Sequence, residues 1–261
     1  MKEVIKEVKS LLRKAGDEIL KIYGREYQFK EKSDKSPVTE ADLVSERIIL
    51  EGLKKYNYNI LSEETKDDLS RLDKERIWII DPLDGTQDFL QKTEEFSIMV
   101  GLIKNNKPVL GVVYLPVENK MYFAEIGKGA FLEQGNSFLR RLKVSEITNL
   151  NDSRFTVSRF HLDQLTKDFL KENNIRKVKY LGSTGIKLGL IAEGKIDGYI
   201  TFTDKTCQWD ICAPEIILKE AGGEITDLNG KRFIYNQREI RNLNGIVASN
   251  KKIHQQIIQK I

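Results

Sequence analysis

The sequence predicts a mixed α/β fold in which sheets are layered between helices. Three observations lead there. Strand-like runs at residues 76–80, 96–103, 108–115 and 119–125 follow one another across short connections, which makes antiparallel neighbours of several of them. After about residue 150 strand and helix patterns alternate instead: strands at 154–157, 177–181, 196–202 and 244–248, helices at 162–172, 184–193, 209–221 and 250–260. The chain also begins with a helical stripe, since Val4, Val8, Leu11, Ala15, Ile19 and Ile22 recur three or four apart. The change of pattern places a soft boundary near residue 150. It divides an N-terminal α+β subdomain (1–150) from a C-terminal α/β subdomain (151–261), the two sharing a cleft.

A second helix is expected over about residues 40–55, reached through Ser36-Pro37-Val38-Thr39. Thr39 can cap it, and Glu40 and Asp42 suit its positive end. A short strand at Asn59–Leu61 delivers Glu63 and Glu64. Ile77–Ile80 reads as a buried strand that ends at Asp81, because Pro82 has no N–H to continue a ladder.

Composition narrows the function classes. A chain of 261 residues with 40% hydrophobic content can bury a real core. Its 43 Lys+Arg and 39 Asp+Glu are interspersed without single-sign blocks, which argues against a nucleic-acid tail. No apolar run approaches the roughly 18 residues of a membrane span, and the first twenty residues are charged throughout, so the expectation is a cytoplasmic protein with no membrane partner. Cys207 and Cys212 fit no zinc spacing and read as free thiols. Neither His161 nor His254 sits in a partnered motif, which makes histidine-dependent catalysis a poor fit.

The chemistry concentrates in WIIDPLDGTQDF, residues 78–89. Asp81 and Asp84 stand three apart on a tight turn, where they repel each other unless a positive charge lies between them. A hard divalent cation with oxygen ligands supplies that charge. Gly85 permits a sharp bend, so the N–H groups of Gly85 and Thr86 can face an anion. Metal plus amide donors suggests phosphate. The plainer alternative is that both aspartates cap a turn. The DxDGT pattern of aspartyl-nucleophile phosphatases has one residue between its acids instead of two, and GxxxxGK[ST] is absent. Further acids lie in LSEE (Glu63, Glu64) and at the start of WDICAPEIILKEAGG (Asp210).

Taken together, SPVTEAD, LSEE, WIIDPLDGTQDF and WDICAPEIILKEAGG resemble the motifs of the magnesium-dependent, lithium-sensitive phosphatase superfamily of inositol monophosphatases, fructose-1,6-bisphosphatases and 3'(2'),5'-bisphosphate nucleotidases. They occur in that order across residues 36–223. The resemblance implies a five-layered αβαβα sandwich and a phosphoric monoester hydrolase using two or three Mg2+ ions. It implies that Glu63 ligates metal with Asp81 and the Leu83 carbonyl, and that Asp81 bridges to a second ion held by Asp84 and Asp210. Thr86 would orient a water and Asp42 take its proton, with Glu64 supporting the ligands from behind. Leu83, Asp84, Gly85, Thr86 and Asp210 would also line the bound phosphate.

TQDFLQKTEEFSIMVGLI and the SRFH string at 158–161 are similar to the bacterial bisphosphate nucleotidases called CysQ, which implies adenosine 3',5'-bisphosphate as substrate. Its phosphates or base would meet His161, Thr184 and Lys187, although GSTGIK is one residue longer than the usual GSSLK. A second departure is the strand before WD, DGYITFTDKTCQWD. Thr201 or its neighbours stand where such nucleotidases carry an arginine, and Lys205 is the nearby cation. Inositol or fructose phosphates are the alternative substrates, and a non-catalytic phosphate or metal binder the alternative of another class. The expected partner is thus a small phosphate ester, with no nucleic acid, and the chain a monomer or homodimer.

Overall fold

The computed structural model describes residues 2–25, 29–31, 37–135 and 138–261, so Ser36 of the SPVTEAD string lies outside the described residues. Helix α1 (Lys2–Tyr23) precedes an antiparallel ribbon of β1 (Phe29–Glu31) and β2 (Pro37–Thr39), and then α2 (Glu40–Leu53). β3 (Asn59–Ser62), β4 (Arg76–Asp84), a short α3 (Thr86–Leu90), β5 (Ser97–Lys104), β6 (Lys107–Leu115), β7 (Lys120–Glu125), β8 (Gly129–Gln134) and β9 (Phe138–Arg141) follow. Beyond them come β10 (Arg154–Ser158), α4 (Gln164–Glu172), β11 (Lys177–Leu181), α5 (Thr184–Ala192), β12 (Gly198–Thr201), α6 (Gln208–Glu220), β13 (Glu224–Thr226), β14 (Ile246–Ser249) and α7 (His254–Ile258).

Strands β3 to β9 form a seven-stranded sheet in sequence order, antiparallel except for the parallel β3/β4 pair. The second sheet has the order β11-β10-β12-β14-β13, parallel across its first three strands and antiparallel at β14. Side chains alternate across the first sheet, and both of its faces are covered. Trp78 and Ile80 of β4 pack with Leu12, Ile19 and Ile49 of α1 and α2, while Ile77 and Ile79 turn to a core shared with Ile186, Ile211 and Ile216 of α5 and α6. That core continues to Tyr199, Ile246 and Ala248 of the second sheet. On the far face of the second sheet Phe155, Val157 and Val247 meet Phe169 of α4 and Ile257 of α7. The layers therefore run helices, sheet, helices, sheet, helices: a five-layered αβαβα sandwich.

A pair of glycines brings α6 onto the first sheet. Gly101 and Gly111 are register partners in β5 and β6, and a Cβ on either would meet Cys212 Sγ at 2.6 Å or the Ala213 carbonyl at 2.3 Å. The close approach carries the N-terminal turn of α6, with Asp210, to the end of β4.

Several elements differ from the sequence reading. β8, β9 and β13 were not anticipated; β9 reads FLRR and is exposed along its length, so it shows no alternation. The expected helix over 250–260 shrinks to α7, because Lys251 takes a left-handed φ of 70° that no helix continues through. Strand β4 runs past Pro82 to Asp84 instead of stopping at Asp81. Among the described residues no helix is long and apolar enough to cross a membrane.

Candidate active site

The end of β4 is shaped by an irregularity. Asp81 pairs with Met99 and Asp84 with Ser97, so three steps along β4 match two along β5. Pro82 removes one donor, the bulge absorbs the gap, and pairing resumes at Asp84; this is why proline does not end the strand. The Leu83 N–H turns back to Asp81 Oδ1 at 3.1 Å. Gly85 follows at φ 96°, where a Cβ would also lie 2.9 Å from the Glu95 carbonyl, so glycine is required on two counts. It opens α3 at Thr86.

Carboxylate oxygens of Asp81, Asp84 and Asp210 all lie within 4.8 Å of one another. Each is held by local structure. Asp84 Oδ2 accepts from Ser183 Oγ (2.5 Å), Gly185 N (2.8 Å) and Ser97 Oγ (3.2 Å). Asp210, in the first turn of α6, accepts from Cys207 N at 2.5 Å. Burial pushes the Asp81 carboxyl well above the usual range, and the charges of Glu63, Asp84, Asp210 and Asp42 push it further. Asp210 is raised for the same reasons, burial first and Asp84 next, with Lys187 opposing. The donor set is hard oxygen, and its strongest neighbours are other acids. A divalent cation fits both facts.

Glu63, just past β3, donates its N–H to the Ile80 carbonyl at 3.3 Å. Its charge reaches Asp81 and Asp210, although it stands outside the group of three. Glu63 and Glu64 are both half-buried.

Asp42 serves two places at once. Its Oδ2 accepts from Thr39 N (2.7 Å) and Thr39 Oγ1 (2.6 Å), closing the capping box of α2. Its Oδ1 accepts from Thr86 Oγ1 at 3.1 Å, and the same hydroxyl lies 3.2 Å from the Leu83 carbonyl. The N-cap of α2 therefore aims a carboxylate at the residue that opens α3.

Lys187 is 3% exposed, not on a solvated helix face. Its ammonium donates to the Gly182 carbonyl and lies 5.4 Å from the Tyr199 ring centroid. Burial lowers its pKa, opposed by Asp84, Asp88, Asp210 and Glu95. His161 lies in the exposed loop after β10. Crowding around its ring, with the charges of Lys205 and Lys187, holds its pKa below the ordinary value. Thr184 is buried at the start of α5, but the hydroxyl that reaches Asp84 belongs to Ser183 before it. The sequence reading missed Ser183 and Ser97. Ser183 had a signal, an N-cap residue before an apolar helical run; Ser97 is one strand position among many and had none. Thr201 is buried in β12, paired with Ile246. Cys207 and Cys212 are free thiols, and burial pushes both pKa values up.

The whole chain, residues 1–261, matches the family model of the inositol monophosphatase family. It is 35% identical over 240 residues to the 3'(2'),5'-bisphosphate nucleotidase CysQ of Aggregatibacter actinomycetemcomitans, covering 90% of this chain and 88% of that protein. It is similar in structure to CysQ from Bacteroides thetaiotaomicron, with a TM-score of 0.80 and 31% identity over 94% of this chain and 96% of that one. An IMPase from Thermotoga maritima gives a TM-score of 0.85 and 30% identity over 100% of this chain and 96% of that one.

Proposed function

We propose that this chain, which belongs to the inositol monophosphatase family, removes the 3'-phosphate of adenosine 3',5'-bisphosphate to leave AMP and inorganic phosphate. It is a phosphatase by family; the nucleotide substrate and the residue roles are the proposal. The observation that carries it is a cluster of three carboxylates enclosed with other acids, beside which lie the ammonium groups of Lys187 and Lys205 and the imidazole of His161.

Asp81, Asp84 and Asp210 would hold the metal, with Glu63 and the Leu83 carbonyl completing the set. Two or three Mg2+ ions there would neutralise the phosphate ester and lower the pKa of a bound water. The three donors on Asp84 Oδ2 leave Oδ1 as its ligand atom. With its O–H donated as a hydrogen bond to Asp42 Oδ1, the Thr86 hydroxyl keeps lone pairs with which it would accept from and orient that water. Asp42, whose Oδ2 is held by Thr39, would take the water's proton by relay, Thr86 passing its own hydroxyl proton to Oδ1 as it receives the one the water releases. Left-handed Gly85 lets the backbone N–H groups of Gly85 and Thr86 approach the phosphate without a side chain in the way.

The bisphosphate nucleotide fits because a second phosphate would find Lys187 and Lys205 as charged partners and the His161 ring as a hydrogen-bond donor. The buried, neutral Thr201, where such nucleotidases carry arginine, favours inositol or fructose phosphates as the second reading. Turnover of adenosine 3',5'-bisphosphate, inositol 1-phosphate and fructose 1,6-bisphosphate, measured side by side with Mg2+, decides between them. The adenosine compound should be fastest; if it is the slowest, the substrate assignment is wrong. No Mg2+-dependent release from any of the three would return the fold to a non-catalytic binder.

A further inference from the structure

Two strings point to the bisphosphate nucleotidases in the sequence, TQDF and SRFH, and in the structure they meet. Arg159, just past β10, places its guanidinium between two acids from the other half of the chain. Nη1 donates to Asp88 Oδ1 on α3, and Nη2 lies 2.8 Å from Glu95 Oε2 and 3.3 Å from the Tyr180 carbonyl. A forked cation can bridge two carboxylates in this way; a point charge such as lysine cannot hold both in fixed geometry.

The bridge leads to the metal cluster by a short path. Glu95 Oε2, besides meeting Arg159, accepts from Gly182 N at 2.9 Å. The Gly182 carbonyl accepts from Lys187 Nζ, so both backbone groups of that residue are held. The next residue, Ser183, donates its hydroxyl to Asp84 Oδ2 at 2.5 Å. Asp88 also packs against the turn directly, since a Cβ on Gly182 would lie 2.3 Å from its carboxylate. Arg159, Asp88 and Glu95 thus support the Gly182–Ser183 turn from outside, and from inside that turn presents Ser183 to Asp84 and anchors Lys187.

We propose that Arg159 is a positioning residue: by clamping Asp88 to Glu95 it fixes the Gly182–Ser183 turn, and through it the carboxylate of Asp84 and the ammonium of Lys187. The proposal rests on the reading of Asp81, Asp84 and Asp210 as a metal site. It gives Arg159 no contact with substrate, because its guanidinium is already engaged by two acids and a carbonyl.

The test is binding of Mn2+ alone, followed by titration calorimetry in the absence of substrate, for the parent, Arg159→Gln, Arg159→Lys and the double variant Asp88→Asn/Arg159→Gln. Loss of a residue that orients a metal ligand weakens metal binding by roughly 10- to 100-fold. Arg159→Gln should sit at the lower end, near 10-fold, with Arg159→Lys recovering part of the loss. Thermal unfolding of each variant checks that it is folded. Should Arg159→Gln fail to fold with its acids unpaired, the double variant, which also neutralises Asp88, carries the same expected loss. Parent-like Mn2+ affinity in folded variants overturns the clamp. So does unchanged Mn2+ affinity with a KM raised only for adenosine 3',5'-bisphosphate, which would make Arg159 a direct substrate ligand. A parent that binds no Mn2+ overturns the metal site and the clamp together, an outcome distinct from failure of the clamp alone.

Discussion

Glu193 and Asp81 are both buried carboxylates, yet their surroundings are opposite. Around Glu193 the chain supplies its own cations: Lys120 at 2.5 Å, Lys195 at 2.9 Å and Arg140 at 3.0 Å, with the Tyr122 hydroxyl at 2.5 Å. Burial alone would raise its pKa, but Lys120 and Tyr122 outweigh that and hold it below the ordinary 4.5. Around Asp81 burial raises the pKa, and the charges that act most strongly after it are those of four more acids. A carboxylate that only holds the fold together is neutralised from within the chain. A cluster whose strongest neighbours are further carboxylates could hold a cation from solution.

The largest expected effect sharpens this contrast. Asp84→Asn should lower Mg2+-dependent phosphate release by on the order of 1,000-fold, since a catalytic metal contributes several kcal/mol to the barrier. Glu193→Gln should leave turnover unchanged and destabilise the protein by about 3 kcal/mol, the cost of leaving the buried ammonium of Lys120 without its partner. A Glu193→Gln variant that lost turnover while keeping its Tm would break the comparison. Next in size, Thr86→Val should slow phosphate release by about 100-fold, the lower range for a group that assists proton transfer, while Thr86→Ser keeps most of the rate. Equal rates for Thr86→Val and the parent would remove the Thr86–Asp42 pair from the reaction.

Smaller effects separate the two acids by pH. Glu193 is held below 4.5, so its contribution to stability is complete above 4.5 and is lost as pH falls through its lower native value. The Tm gap between parent and Glu193→Gln should therefore narrow as pH falls below 4.5. Asp81 is raised above 3.8, so without divalent ions its contribution is complete below 3.8 and is lost as pH rises. In EDTA at pH 8, Asp81→Asn should melt a few degrees higher than the parent, at roughly 2 to 4 °C per kcal/mol. A lower melting temperature would mean that the chain already neutralises Asp81.

Local pattern made much of this legible in the sequence. The stripe of α1, the cap at Thr39 with acids behind it, and the apolar run before Asp81 are short-range features, and each placed its element. Asp81, Asp84 and Asp210 came from motifs that resemble a known family, and their convergence within 4.8 Å is a property of the fold that no spacing in the sequence states. Strand β9 was missed because an exposed edge strand carries no alternation, and the bulge at Pro82 because a register shift depends on the partner strand. The supports of Asp84 were least visible. Ser97 and Ser183 approach it from 13 and 99 residues away in the chain, the first brought by the β4/β5 register and the second by the packing of α5 on the sheet.

The most direct measurement is anomalous diffraction from crystals grown with Mn2+ in place of Mg2+. The account predicts a peak bounded by the carboxylates of Asp81, Asp84 and Asp210, at roughly 2.0 to 2.1 Å from their oxygens as for a Mg2+-type site. A peak at another place on the surface, or none there at saturating Mn2+, would contradict it.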